Sequence, residues 1–230
     1  MNKLIKEPIR EAIFLALKPF RGNDRPCTLV ASNGRSASTM LTNAIADSLL
    51  LSHRFPSRTL VRRFARKPTR HHLAPGTVVK THADFAPEFD SASCKSVYIF
   101  GDPRDSVASV HHALSTRGEA WVRRHLRNLD SGDKVADLLN RDALRQYENM
   151  KSWTQGDNGA LKIRYESLWE NVEEIRDYLC MPDLELPKRV ARQSKYEALP
   201  IDTQGMIESS YNDAIRLYES LSDVWVSRDS

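Results

Sequence analysis

The chain has little of what marks a disulfide-bonded, zinc-bound or membrane-spanning protein. Three cysteines occur in 230 residues, Cys27, Cys94 and Cys180. Their number is odd and no CxxC spacing occurs, so neither a disulfide framework nor a zinc site is indicated. They read as small core residues of a protein in a reducing, cytoplasmic compartment. No apolar run approaches the roughly 20 residues needed to cross a bilayer. The first 20 residues do not read as a signal peptide: Lys6, Glu7, Arg10 and Glu11 break the apolar part, and no small-residue cleavage site follows. They predict an amphipathic helix packed on the domain, with Ile5, Ile9, Ala12, Ile13 and Leu17 on one side. A peripheral membrane contact is the lesser reading of that helix. Internal repeats and low-complexity stretches are absent as well.

What is present is an ordinary soluble composition, 40% hydrophobic and 28% charged, in a length that supports one core and one domain over residues 1–230. The formal charge is only +4, but it is unevenly spread. Residues 54–72, RFPSRTLVRRFARKPTRHH, hold seven Arg or Lys and no acid. Residues 166–185 are acid-rich instead. Such asymmetry predicts either an anionic ligand near the basic segment or a solvated basic face. Phe55 and Phe64 interrupt that segment, but no nucleic-acid module accompanies them, so no nucleic-acid partner is expected.

Short β-branched or aromatic runs bounded by turn residues predict strands at Cys27–Ser32, Thr77–Thr81, Ser96–Gly101 and residues 160–165. Helices are expected over 36–51, from Asp102 through about 114, and over 118–129, 134–153, 168–180, 187–195 and 203–221. Asp102 suits an N-cap and Pro103 the first helical position. Alternating strands and helices imply an α/β fold with three α/β/α layers around a central parallel sheet. In such sheets ligands sit beyond the carboxyl ends of the strands. Three strand ends therefore carry the search for chemistry.

The first is SNGRSAST, residues 32–39, between a strand and a helix. Gly34 permits a tight turn, and the helix start presents unpaired N–H groups with a positive dipole end. Ser36, Ser38 and Thr39 add hydroxyls and Arg35 a cation, so the loop predicts phosphate binding. The patterns G-x-x-x-x-G-K-[ST] and G-x-G-x-x-G are both absent. The second is VVKTHADF, where Lys80 and His82 lie two apart and point to one face. A Lys beside a His supplies a cation and, by disfavouring imidazolium, a free base. The third is YIFGDPRDSVAS, where Ser109 lies two turns into a helix.

Together these pieces resemble the sulfotransferase family, which moves a sulfuryl group from 3′-phosphoadenosine-5′-phosphosulfate to an acceptor. GRSAST is similar to that family's 5′-phosphosulfate loop, [PG]-[KR]-S-G-[ST]-[ST]. KTH at 80–82 matches the segment carrying the catalytic His. GDPRDSVAS looks like the 3′-phosphate segment, R-[DN]-P-R-D-x-x-x-S, and LKIRYESLWENVEEI, 161–175, like V-x-Y-E-D-L and its helix. The resemblance spans about residues 27–180 in the family's order. Two positions depart from it: Ala37 replaces a Gly, tolerable in a helical conformation, and Gly101 replaces the Arg that with Ser109 would hold the 3′-phosphate. Arg104, Arg117, Arg123 and Arg124 are the candidates to replace that cation. The basic-glycine segment near the family's C-terminus is not evident, with residues 188–199 a substitute source of cations.

The resemblance implies a sulfotransferase-like P-loop fold and a donor site of Gly34, Arg35, Ser36, Ala37, Ser38, Thr39, Ser109 and Tyr165. It implies catalytic roles for His82 as base and for Lys80 and Arg35 as electrostatic stabilisers, with no metal. The acceptor is expected to be a small molecule, glycan or lipid, framed by the basic segment and His71, His72, His111 and His112. Two other readings stand beside it. A kinase-like transferase on the same fold would use a nucleoside triphosphate and make Gly101 no defect. A non-catalytic nucleotide-binding protein would keep the pocket and use residues 54–72 for docking.

Overall fold

A computed structural model describes residues 25–53, 58, 61–132, 134–156, 158–190 and 194–226. The helix expected over residues 1–20 lies outside them. A six-stranded sheet forms the middle layer: β1 Cys27–Ser32, β2 Arg62–Phe64, β3 Val78–Thr81, β4 Cys94–Phe100, β5 Leu161–Arg164 and β6 Val224–Val226, in the order β2-β3-β1-β4-β5-β6. The first five are parallel and β6 pairs antiparallel with β5. Seven α-helices are found among the described residues: α1 Ser38–His53, α2 Pro103–Arg117, α3 Glu119–Asn128, α4 Gln146–Thr154, α5 Val172–Leu179, α6 Ile201–Ser210 and α7 Asn212–Ser220. None is long and apolar enough to cross a membrane.

The α/β expectation is borne out, and the layers follow from strand alternation. Val30, Val97, Ile99 and Ile163 face one side and pack on Leu41, Ile45 and Leu49 of α1 and on Ile175 and Leu179 of α5. Leu29, Val79, Tyr98 and Phe100 face the other, against Met150 and Trp153 of α4 and Tyr218 of α7. Every residue of β1 is buried, as a strand covered on both faces requires. A third cluster joins α2, α3, α6 and α7 through Val107, Val110, Val122, Leu126, Ile207 and Ile215.

Several boundaries moved for identifiable reasons. The helix expected over 134–153 starts only at Gln146, because the Asp142 carboxylate accepts from the Gln146 and Tyr147 amides at 2.9 and 2.8 Å. The one over 203–221 breaks at Tyr211 into α6 and α7. The one over 187–195 does not form at residues 187–190 or 194–195, and residues 191–193 lie outside the described set. Asp102 does cap α2, accepting from the Arg104 amide at 2.8 Å with Pro103 first in the helix. Cys27 and Cys94 are core residues as expected, but Cys180 is exposed. It ends α5 in a left-handed conformation at φ +55°.

The strand order places β1 between β3 and β4, so chain leaving β1 turns toward one neighbour and chain entering β4 lies on the other side. That is the switch point where a crevice opens beyond the carboxyl ends. The wall of this crevice after β3 is held by α4. Trp153 donates its indole N–H to the Ala83 carbonyl at 3.0 Å, and the Asn149 amide donates to the same oxygen at 3.1 Å. The Trp153 ring stacks on Tyr98 at 5.3 Å and on Phe89 at 6.0 Å. Trp153→Ala is expected to cost about 3–5 kcal/mol in denaturant unfolding. Trp153→Phe, which keeps the stack and loses the bond to Ala83, should cost less than half of that.

Candidate functional site

Beyond β1 the chain makes a left-handed turn. Gly34, Arg35 and Ala37 have φ of +87°, +58° and +56°. Gly34 is required by its φ, one that L-residues resist; a Cβ there would make only ordinary contacts, with Leu129 at 3.4 Å and the His125 imidazole at 3.7 Å. The expectation that Ala37 is helical is overturned. It precedes α1 in the left-handed region, where a Cβ costs roughly 1–2 kcal/mol. Its carbonyl accepts from Met40 and Leu41 at 2.8 and 3.1 Å. The helix therefore starts at Ser38, with the Ser38 and Thr39 amides ahead of the hydrogen-bonded ladder.

The loop opens into a cleft of about 1530 Å³. Of the residues singled out in the sequence, Arg35, Ala37, Ser38, Thr39, Lys80, His82 and Tyr165 line it. Gly34, Ser36 and Ser109 do not. The Ser36 hydroxyl donates to the Ile99 carbonyl at 3.1 Å and to Asn33 Oδ1 at 3.3 Å, tying the loop to β4 rather than facing the cleft. The Ser109 hydroxyl accepts from Arg35 Nε and Nη2 at 3.0 and 2.7 Å. His71, His72, His111 and His112 line none of the cleft.

Lys80 and His82 do face the same space. Lys80 Nζ donates to Thr39 Oγ1 at 2.6 Å. Burial, then the charges of Arg62 and Arg35, lower its pKa to about 8. His82 is 8% exposed. Its Nδ1 lies 2.9 Å from the Ser32 carbonyl oxygen, an atom that can only accept, so Nδ1 carries the proton and Nε2 keeps its lone pair. Burial first and the Lys80 charge second hold the imidazole down to about 4, against the raising effect of the Ser32 bond. Ser32 Oγ donates to Ser38 Oγ at 2.8 Å, which joins β1, α1 and the β3 end in one network.

A second imidazole went unnoticed in the sequence. His125 on α3 lies 6.5 Å from the His82 ring and stacks on Trp121 at 5.2 Å. Its Nε2 is buried without a hydrogen-bond partner among the described residues, and burial and then His82 push its pKa down to about 3. The sequence signal was there: Trp121 and His125 lie four apart, on one helix face. The basic segment also reaches the site. Arg58, Arg62 and Phe64 line the cleft, Arg58 paired with Asp47 at 2.6 Å. Burial and the Arg58 charge lower the Arg62 pKa.

The β4 end is different in character. A Cβ on Gly101 would find Tyr165, Ser36 and Glu166 at 3.5–3.7 Å, ordinary contact distances. Burial raises the pKa of Glu166. Arg104 is bound by Glu208 and Glu219, each at 2.7 Å, and by Asp102 at 3.4 Å. Arg123 pairs with Glu119 at 2.6 Å. Among the described residues no group of three His, Cys, Asp or Glu is placed to hold a metal ion.

No known family model matches the chain, and no curated protein matches it.

Two outcomes follow from this geometry. Ala37→Gly should raise the unfolding free energy by about 1 kcal/mol by relieving a left-handed L-residue, read as a higher denaturation midpoint. His82 binds its proton more weakly when folded than at its ordinary 6.5, so the unfolded chain takes up more protons between about pH 6.5 and 4. Stability should therefore be full above pH 6.5 and fall as the pH drops through that window, by up to about 3 kcal/mol from this residue. His82→Gln should reduce that slope in unfolding curves measured from pH 7 to 4, leaving the part that His125 contributes.

Proposed function

We propose that the chain is a sulfuryl transferase. In this reading 3′-phosphoadenosine-5′-phosphosulfate binds at the loop after β1 and an acceptor hydroxyl enters the cleft beside it. One observation carries the reading: the phosphate-type loop, the Lys80 ammonium held against Thr39 and a neutral His82 with a fixed tautomer converge on one cleft. The acceptor oxygen forms a bond to sulfur as the bond from sulfur to the phosphate oxygen breaks. The acceptor proton passes to His82 Nε2, and the electron pair leaves on the 5′-phosphate. Lys80 and the amides of Ser38 and Thr39 stabilise that charge. An anionic donor offsets the Lys80 charge that depresses His82, which raises the imidazole's proton affinity when the base is needed. Leu51 and Phe64, 75% and 48% exposed on the cleft wall, suit an acceptor with an apolar part, whether small molecule, glycan or lipid.

A second reading has its own observation. The β4 end offers the Glu166 carboxyl beside Gly101 and an Arg104 already held by three carboxylates. That favours a donor without a 3′-phosphate, such as a nucleoside triphosphate in a kinase-like reaction. Calorimetric titration with adenosine 3′,5′-bisphosphate and with ATP plus Mg²⁺ separates the two. Micromolar binding of the bisphosphate with weak ATP binding is expected, and preference for ATP would overturn the sulfuryl reading. His82→Ala should lose about 10²-fold or more in turnover while bisphosphate affinity stays within about threefold. Retained turnover would remove His82 as the base.

A further inference from the structure

The end of the sheet away from the cleft holds two thiols side by side. Cys27 opens β1 and Cys94 opens β4, and the parallel register pairs them directly. Paired residues on neighbouring strands point to one face, and both cysteines belong to the core cluster that contains Met150 and Trp153. Neighbouring strands lie about 4.8 Å apart, inside the roughly 4.4–6.8 Å between α-carbons that a disulfide spans. The thiols also bias one another. The Cys27 side chain lowers the pKa of Cys94, and Cys94 together with burial raises that of Cys27. Cys94 is therefore the first of the two to ionise. It is 4% exposed and directly follows the exposed turn at residues 91–93. The Ser93 carbonyl in that turn accepts from the Cys27 amide at 2.9 Å. Local opening of this one turn frees the start of β1 and uncovers Cys94.

We infer that Cys27 and Cys94 form an oxidation site, which a small disulfide of the glutathione class converts to an intrachain disulfide within the native sheet. The Cys94 thiolate attacks one sulfur of the reagent, the reagent's S–S bond breaks, and the first reagent thiolate leaves with the electron pair. Cys27 then gives up its proton and attacks the Cys94 sulfur of the mixed disulfide, which expels the second reagent thiolate. The pair of cysteines loses two electrons and two protons, and the reagent is reduced to two thiols. Burial makes the first step slow and leaves the second fast, since the resolving sulfur is already next to the reacting one. The bond would staple β1 to β4, its parallel neighbour, at the opposite end of β1 from Ser32. The site therefore holds whatever ligand the cleft takes. Cys180 is the exposed thiol, 3.3 Å from the Lys95 ammonium, and meets the same reagent without a partner in register.

The test incubates the folded full chain with oxidised glutathione, alkylates the remaining thiols after unfolding, and maps the cysteines by mass spectrometry. The expected product is a peptide pair joined through Cys27 and Cys94, in a protein two hydrogens lighter at those positions, with Cys180 glutathionylated or alkylated. Dithiothreitol should restore both thiols. Cys180→Ser, at an exposed position, should keep the crosslink, which shows that it does not arise by exchange through Cys180. Cys94→Ser should abolish it. The oxidised chain should also unfold at a higher denaturant midpoint than the reduced one, because the crosslink constrains only the unfolded state when the native register accepts it. Recovery of Cys27 and Cys94 as alkylated thiols, with Cys180 alone modified, would overturn the inference. So would a glutathione adduct on Cys94 that never closes onto Cys27, a crosslink that runs to Cys180, or an oxidised midpoint below the reduced one.

Discussion

Everything in the cleft hangs on the end of β1, where Ser32 meets three partners. Its carbonyl accepts a hydrogen bond from the Nδ1–H of His82 at 2.9 Å. Its hydroxyl donates to Ser38 at 2.8 Å and lies 3.4 Å from the Gly34 amide, which donates to it. One residue therefore fixes the tautomer of the candidate base, the start of the helix and the entry to the left-handed turn. Each of those contacts is buried, where competition from water is low and a misplaced polar group is costly. The order of the loop and the state of the imidazole are thus one structural fact rather than two.

The electrostatics follow from that rigidity. Lys80, Arg62 and Arg35 are brought close enough to weaken one another's or their neighbours' proton affinity. A flexible surface would let such charges move apart. Here strand pairing between β1, β2 and β3 and the bond to Thr39 hold them in place. The positive potential in the cleft is therefore already assembled in the free protein.

The sequence was most readable where local chemistry and tertiary role agree. β1 was placed to the residue, because a strand buried on both faces reads as a continuous apolar run. The Asp102-Pro103 start of α2 was read from a capping pattern that acts within one turn. The turn after β1 was legible in Gly34, but the direction of each hydroxyl was not: Ser36 turns to Ile99, a contact across 63 positions. The same limit hid β2, whose arginines mask the alternation of a strand. His125 was hidden too, since its meaning depends on α3 folding over Gly34. Ala37 was misjudged because a local preference for helical φ yields to the turn that Ser32 imposes.

The arginines of β2 also have a bearing on solubility. Among the described residues this strand is an outer one in the six-stranded order. An outer strand invites a strand from another molecule unless something discourages it. Here it is only three residues long, and two of them, Arg62 and Arg63, carry charge. A second copy approaching that edge would stack guanidinium on guanidinium. The cationic character that suits the cleft to anions therefore also guards the sheet against growing from one molecule into the next.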